Sequence, residues 1–303
     1  MNSLLIIPLC LVGGWALRRM GMPQTWAKYL TNMVIYMALP ALILAKIPAI
    51  SFKTQFLLPM LMPWLLFILA IGLFWFLGKQ HVWPKATVGG ITLTAGLGNT
   101  SFIGIPVMQA IWGDAGVQVA LLADQPGSFA CLSTLGIIVA SAYSGSRLSV
   151  KVIGSRVVKF PPFLAFIFAF GLGIANWQFS GTALQILNFL GSLVVPIALI
   201  AVGLQLSIAA FRNWPKPVQY GLVYKLVLAP LLIYVLYILL LKQNDLLAKG
   251  SVIEAAMGPM VTAALVADVY NLNSRLVYQL LSIGILLSFL SLPLWWLLVR
   301  WQL

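Results

Sequence analysis

Two acidic side chains, Asp124 and Glu254, lie inside long apolar stretches of the sequence. An ionisable group within a membrane span is energetically costly, and it indicates by default an ion or proton pathway. Each of these acids could instead form an ion pair with Lys225, the basic residue that lies inside an apolar stretch rather than between two of them. Lys225 could also reach back to the membrane interface, as lysines near helix ends often do.

The stretch GLGNTSFIGIPVM, residues 96–108, is poorly suited to a continuous membrane-spanning helix. Proline removes one helical hydrogen bond, and glycine lets two backbones approach closely. Where a helix breaks inside a membrane, its free N–H groups favour anions and its free C=O groups favour cations. Asn99, Thr100 and Ser101 add an amide and two hydroxyls at this break. They would either bind a ligand or only cap the broken helix, and the sequence leaves both open.

A second break is expected at Gly258 and Pro259, in the stretch EAAMGPMVTAA. A pocket lined by two broken helices offers both kinds of free backbone group, and it is suited to an organic anion with a coupling ion nearby. The predicted helix-break and hinge residues are Pro40, Gly98, Gly104, Pro106, Pro196, Gly258 and Pro259.

The composition places the chain among integral membrane proteins. Of its 303 residues, 62% are hydrophobic and 8% are charged, which leaves too little polar surface to cover a soluble globule of this size. A net charge of +13 would suggest a nucleic-acid partner for a soluble protein. Here the basic residues cluster between apolar segments, which is typical of cytoplasmic loops. We therefore expect membrane lipid, and no nucleic acid, around the chain.

Catalytic chemistry finds little support in the sequence. The single histidine, His81, lies in a basic loop, so that no HExxH site or histidine-based triad can form. Cys10 and Cys131 lie in separate apolar runs, which predicts free thiols rather than a disulfide or a metal site. We expect no enzyme activity and no cofactor, apart from the ion or proton that the acids inside the spans would bind.

Ten apolar runs have about the 20-residue length that a bilayer core requires. These predicted spans are 3–20, 27–46, 56–77, 86–112, 115–141, 161–177, 182–207, 217–241, 247–270 and 275–299. The connections after the odd-numbered spans carry twelve Lys and Arg residues, against five on the other side. By the positive-inside rule, the first side is cytoplasmic and both termini lie outside.

The two halves of the chain share a pattern of prolines. Pro40 and Pro106 are 66 residues apart in spans 2 and 4, and Pro196 and Pro259 are 63 residues apart in spans 7 and 9. Because each half has an odd number of spans, the second half must enter from the opposite face, which makes the repeat inverted. This organisation is typical of secondary transporters, whose binding site lies near the midplane. The predicted units are 1–143, a basic cytoplasmic connection 144–160, and 161–303.

The motifs GNTSFIGIPVMQAIWGD, YKLVLAPLL and EAAMGPMVTAALVADVYNL resemble the auxin efflux carrier (PIN-like) family, in the form of a bacterial-type member. The resemblance covers essentially the whole chain and extends distantly to the bile acid:sodium symporters. It implies an all-α membrane fold of ten helices in two inverted five-helix repeats. Helices 1, 2, 6 and 7 would form a panel, and the others a core in which broken helices 4 and 9 cross. It also implies a bacterial inner-membrane location with periplasmic termini, and it allows a homodimer through the panel.

The activity that this resemblance implies is secondary transport of a small organic anion, an auxin-like acid or a mono- or dicarboxylate, by alternating access of the core against the panel. The implied substrate-binding residues are Asn99, Thr100, Ser101, Pro106, Lys225, Gly258, Pro259 and Met260. An anion channel is a further alternative, but the few polar residues are concentrated at two breaks instead of lining a continuous pore.

Coupling to a cation is implied by the sodium symporters, in which a glutamate just before the crossing contributes to sodium binding. Sodium takes several hard oxygen ligands. The candidate ligands here are Asn99, Ser101, Asp124, Ser128 and Glu254, with Glu254 at the centre of the site. Plant members of the family resemble uniporters, so that sodium coupling, proton coupling and uniport all stay open, as does a sodium-coupled symporter of the bile-acid type.

Overall fold

The fold is helical throughout the part of the chain that the structure describes. The computed structural model describes residues 3–23, 25–50, 54–145, 160–205 and 214–300. Its α-helices are α1 (Ser3–Arg19), α2 (Thr25–Met33), α3 (Leu39–Lys46), α4 (Leu57–Gln80), α5 (Lys85–Gly96), α6 (Ile105–Leu122), α7 (Ile137–Ser144), α8 (Pro161–Ile174), α9 (Gly181–Ser192), α10 (Val194–Gln205), α11 (Lys216–Val223), α12 (Ala229–Ile233), α13 (Leu246–Ala255), α14 (Val261–Val269) and α15 (Ser274–Arg300). π-Helical segments continue these helices at Val34–Ala38, Thr100–Gly104, Ala123–Phe129, Leu132–Gly136, Tyr224–Leu228 and Tyr234–Leu240.

Membrane-spanning helices account for much of this structure. Within the described ranges, six helical runs are long and apolar enough to cross a bilayer. They are Thr25–Lys46, Thr54–Gln80, Thr100–Ser144, Gly181–Gln205, Lys216–Leu240 and Ser274–Arg300. The protein is therefore an integral membrane protein, as predicted. The basic connection 144–160 falls, apart from residues 144, 145 and 160, outside the described residues.

The run Thr100–Ser144 is bent at Gly113, which explains its length of 45 residues. Gly113 has φ +59° and ψ −142°, a non-helical conformation that glycine adopts without a steric penalty. The run therefore consists of two arms that meet at this bend, one on each side of Gly113. Length alone does not test the prediction of ten spans, because α1 has 17 residues and α8 has 14.

Three of the predicted hinge prolines stand in the first turn of a helix. Pro40 is the second residue of α3, which directly follows the π-helical segment Val34–Ala38; Pro106 is the second residue of α6, and Pro196 is the third residue of α10. A proline has no N–H to bond to the preceding turn, so that a helical run that passes through it changes its hydrogen-bonding pattern there. These prolines thus mark points where one helical segment ends and another begins.

One group of helices packs through a symmetrical set of contacts, and we call α1, α2, α3, α8, α9 and α10 the panel. In the panel α1 packs against α10 and α8 packs against α3, while α2 contacts α10 and α3 contacts α9. The remaining helices, α4–α7 and α11–α15, form the core. Within the core α5 packs against α4, α7, α14 and α15, and α13 packs against α4 and α6.

Replacing Gly14 with alanine should destabilise the panel, whereas the same change at the neighbouring Gly13 should not. A Cβ atom at Gly14 would overlap the carbonyl oxygen of Ile200 and lie 3.1 Å from the Cα of Gly203. The same atom at Gly13 would meet nothing within 4 Å. We expect Gly14→Ala to lower the free energy of unfolding by about 1–3 kcal/mol, as overpacking does. Thermal unfolding of both variants in detergent measures the difference, and equal midpoints would contradict the close contact between α1 and α10.

Candidate functional site

The two broken helices meet at a single antiparallel bridge between Gly98 and Pro259. The N–H of Asn99 donates to the carbonyl oxygen of Gly258 at 2.8 Å, and the N–H of Met260 donates to that of Leu97 at 3.0 Å. A helix end inside a membrane must satisfy its backbone groups within the protein. Each break supplies partners for the other, and we call residues 97–99 and 258–260 the crossing.

Four helix ends point at the crossing. Helices α5 and α13 end there with their carbonyl groups, while the segment Thr100–Gly104 and α14 begin there with their N–H groups. Carbonyl ends carry a partial negative charge and N–H ends a partial positive charge, each equivalent to about half an elementary charge. The crossing therefore presents backbone charge of both signs in one small volume.

Asn99, Thr100 and Ser101 have distinct roles at the start of the segment Thr100–Gly104. The side-chain oxygen of Asn99 caps this segment by accepting from the N–H of Phe102 at 3.1 Å. Thr100 donates its hydroxyl to Oδ1 of Asp124 at 2.6 Å, and Ser101 donates to the same oxygen. Nδ2 of Asn99 is buried without a hydrogen-bond partner. Of the three side chains, Asn99 thus keeps a donor free for a ligand.

Asp124 is held beside the N–H end of the segment Thr100–Gly104. It lies in the π-helical segment Ala123–Phe129, and its second oxygen accepts from Nε2 of Gln125 at 2.5 Å. A carboxylate at the N-terminal end of a helix is stabilised by the helix dipole. The sequence left open an ion pair between Lys225 and either buried acid. Among the described residues no basic nitrogen lies within 4.0 Å of either carboxylate, so the charge of Lys225 acts on Glu254 from a distance and not by contact.

Glu254 lies in the last turn of α13, and its side chain is 0% exposed. Both of its carboxylate oxygens lack a hydrogen-bond partner. A Cβ atom added at Gly104 would lie 2.7 Å from Oε1, so that the carboxylate packs against the backbone of the other broken helix. A buried carboxylate that accepts no hydrogen bond is strongly unfavourable unless it binds a proton or a cation, and the nearby charge of Lys225 offsets only part of this cost. Glu254 is therefore the strongest candidate in the site for binding one of them.

Further oxygen atoms near Asp124 are also unpaired. Ser128 follows Asp124 by one helical turn, and its Oγ is buried without a partner, as is Oε1 of Gln125. The described residues contain no group of three or more His, Cys, Asp or Glu that could hold a metal ion. Gln125 is not among the residues predicted from sequence, although its place beside Asp124 in ADQPGSF was a usable signal.

Lys225 lies in the π-helical segment Tyr224–Leu228 and is 1% exposed. Its Nζ donates to the carbonyl oxygen of Ala255 at 3.0 Å, and a Cβ atom at Gly98 would lie 2.9 Å from the same nitrogen. The alternative in which Lys225 reaches the membrane interface is therefore wrong. The apolar stem is long enough to carry the ammonium to the crossing instead.

One side of the crossing is closed by α15. A Cβ atom at Gly258 would lie 2.9 Å from the Cα of Ile285 and 3.1 Å from Oγ of Ser288. A Cβ atom at Gly284 would lie 2.5 Å from the ring of Pro259, so that this proline packs directly against the backbone of α15. Elsewhere the segment Thr100–Gly104 contacts the panel helix α10. A ligand at the crossing would therefore lie between core and panel, with Pro106 and Met260 on the flanking helix ends.

The remaining acids have structural partners. Asp114 forms an ion pair with Lys46 at 2.8 Å, Asp245 caps α13 by accepting from the N–H of Ala248, and Asp268 accepts from the hydroxyl of Tyr278. None of these side chains is buried at the crossing. Asp124 and Glu254 thus differ from the other acids in position and in surroundings.

The sequence matches the family described as membrane transport protein over residues 1–296. An uncharacterized transporter of Methanocaldococcus jannaschii is 28% identical over 99% of this chain and 99% of its own length. An uncharacterized transporter of Methanothermobacter thermautotrophicus is 30% identical over 68% of this chain and 66% of its own length. The match to the family covers both breaks and every residue of the crossing.

Proposed function

The chain belongs to the auxin efflux carrier-like family of membrane transport proteins, and from this premise we propose that it is a secondary transporter of a small organic anion. The substrate class is an auxin-like acid or a mono- or dicarboxylate, moved in or out by alternating access. The observation that carries the proposal is the crossing, where two broken helices bring N–H ends, C=O ends and unpaired buried side chains together. Broken helices that meet at membrane depth are the usual binding sites of secondary transporters.

We propose an architecture of ten spans in two inverted repeats. An inverted repeat relates span 1 to span 6 and span 2 to span 7, so that a contact between spans 1 and 7 requires one between spans 6 and 2. The contacts of α1 with α10 and of α8 with α3 form such a pair. The contact of α2 with α10 and that of α3 with α9 form a second pair of this kind, on either side of Pro40 and Pro196. This reciprocity supports a repeat of two related halves, and the odd number of predicted spans in each half makes that repeat inverted.

The substrate anion would bind at the N–H end of α14 together with the free amide of Asn99. The N–H end of the segment Thr100–Gly104 already faces the carboxylate of Asp124, which disfavours a second anion there. The start of α14 at Val261 has no side-chain cap. Nδ2 of Asn99 is an unpaired buried donor on the other segment of the crossing, residues 97–99. These two features favour the α14 side.

A cation at Glu254 would couple to the anion, with sodium preferred over a proton. Its two unpaired oxygens are hard ligands of the kind that sodium takes, and Gln125 and Ser128 carry further unpaired oxygens beside Asp124. This observation also favours the second candidate function, a sodium-coupled symporter of the bile-acid type. An anion channel is less well supported, because the unpaired polar groups lie at the crossing and not along a pore.

Alternating access would move the core against the panel. Lys46 on the panel helix α3 pairs with Asp114 on the core helix α6, and Gln118 donates to the carbonyl oxygen of Lys46 at 3.3 Å. The distribution of Lys and Arg favours an orientation in which this end of the molecule faces outside, together with both termini. We propose that the ion pair holds the outer side of the carrier closed in this conformation.

Asn99→Ala should slow uptake of a labelled organic acid into proteoliposomes, if Asn99 donates to the substrate carboxylate. Removing a hydrogen bond to a charged group costs about 1.5–3 kcal/mol, or roughly a tenfold to hundredfold loss of affinity. Screening mono- and dicarboxylates for saturable uptake by the wild-type protein identifies the substrate first. Asn188→Ala is a suitable control, because Asn188 is exposed on α9. A conductance that never saturates, or an Asn99→Ala variant that transports normally, would argue against the proposal.

A further inference from the structure

The ammonium group of Lys225 completes the C-terminal end of α13. The last carbonyl groups of a helix have no intrahelical partner. Here the N–H of Ala256 bonds to the carbonyls of Val252 and Ile253, and the N–H of Met257 bonds to that of Glu254. The carbonyl of Ala255 receives Nζ of Lys225 at 3.0 Å. A side chain from a separate helical run thus caps the broken helix.

The position of this ammonium is where a cation would bind. Carbonyl ends of broken membrane helices carry partial negative charge and commonly coordinate ions. Both α5 and α13 direct such ends at the crossing, and Nζ lies between the carbonyl of Ala255 and the backbone of Gly98. We propose that Lys225 is a built-in cation, which takes the place of a bound metal ion at the carbonyl end of α13.

The segment that carries Lys225 is fixed on both sides. The hydroxyl of Tyr224 donates to the carbonyl oxygen of Leu66 in α4, and Nε1 of Trp295 donates to that of Leu226 at 2.9 Å. A π-helical turn leaves backbone groups out of the ordinary helical ladder, and such turns are frequent at functional sites. These bonds hold the base of the lysine stem, so that the ammonium is delivered to one position.

The positive charge of Lys225 therefore holds the carbonyl end of α13 and the backbone at Gly98 together at the crossing. Lys225 belongs to the core and contacts the ends of both broken helices. These contacts are made without substrate, and they are the same whichever anion is transported and whichever ion is coupled to it.

Replacement of Lys225 by alanine should create a binding site for small alkylammonium ions. We expect Lys225→Ala to lower the midpoint of thermal unfolding in detergent by about 5 °C or more. Propylammonium chloride should restore much of this loss, whereas propanol, of similar size but neutral, should not. The wild-type protein should respond to neither compound. Lys249→Met is the control, since Lys249 is another largely buried lysine, on α13 itself.

Two conservative variants separate charge from volume. Lys225→Arg keeps the charge and Lys225→Met keeps the apolar stem, so that we expect the arginine variant to be the more stable. The yield of monodisperse protein on size-exclusion chromatography compares how well these two variants fold, and it can be measured even if the alanine variant does not fold. Three results would each overturn the proposal. The methionine variant could be as stable as the wild type, it could fold better than the arginine variant, or propanol could restore the unfolding midpoint of the alanine variant as well as propylammonium does.

Discussion

The Glu254→Gln variant should lose all of the thermal stabilisation that sodium gives to the wild-type protein. The carboxylate of Glu254 is buried and unpaired, and glutamine removes its charge while keeping its size. A ligand that binds only the folded state adds about 2.7 kcal/mol of stability at a concentration near 100 times its Kd. We expect a gain of this order for the wild type and none for the variant, measured by thermal unfolding in sodium against choline.

Gly104 offers a second way to disturb the same site. A methyl group at Gly104 would lie 2.7 Å from Oε1 of Glu254 and would force the carboxylate to move. Gly104→Ala should therefore weaken the response to sodium, while Gly72→Ala, where the added atom meets nothing within 4 Å, should leave it intact.

Asp268→Asn is the control for loss of a carboxylate, because Asp268 bonds to Tyr278 away from the crossing. If sodium stabilises neither the wild type nor the variants, or stabilises Glu254→Gln as well as the wild type, then the cation site at Glu254 is wrong. A sodium response that survives in the Asp268→Asn variant and disappears in Glu254→Gln assigns the ion to Glu254.

A reducible cross-link between positions 46 and 114 should stop transport completely. Lys46 lies on the panel and Asp114 on the core, with Nζ and Oδ2 2.8 Å apart. A cross-link there would hold the two groups of helices in one arrangement, whereas alternating access requires them to move. We expect the variant with Lys46→Cys and Asp114→Cys, treated with a short bifunctional thiosulfonate, to transport no faster than empty liposomes. Reduction of the linker should restore uptake.

The control for this experiment is a cross-link within the core. Asp268 on α14 and Tyr278 on α15 are joined by a hydrogen bond of 2.9 Å, and both helices belong to the core. The same linker between cysteines at these two positions should leave transport unchanged. The background needs Cys10→Ala and Cys131→Ala, since both native cysteines are free. Normal uptake by the protein linked between 46 and 114 would contradict motion of core against panel.

The membrane class and the family could be predicted from sequence, and both are confirmed. Long apolar runs and basic connections are local properties that require no knowledge of tertiary contacts. The interruptions at Gly98 and Pro259 also have local causes, because glycine and proline weaken a helix wherever it packs. The count of ten spans stays a prediction, since short and bent helices such as α1 and the arms on either side of Gly113 do not test it by length.

The partners of the buried charges could not be predicted. Lys225 bonds to a carbonyl group 30 residues away, and Asp124 receives hydroxyls 23 and 24 residues away. Which partner each side chain meets depends on the rotation of one helix against another, and a π-helical turn changes that rotation without a clear signal in the sequence. The sequence therefore names the charged residues but leaves open which atoms they contact.

The bridge between Gly98 and Pro259 has a consequence for the evolution of such carriers. Its two hydrogen bonds join main-chain atoms of Leu97, Asn99, Gly258 and Met260, so that they form with any residue at position 97 and with any residue except proline, which lacks the N–H donor, at positions 99 and 260. Descendants of one ancestral protein could therefore exchange these side chains, and with them the preferred anion, while the junction of the two helices is inherited unchanged. Glycine at 258 is excluded from this freedom, because any side chain there would meet Ile285.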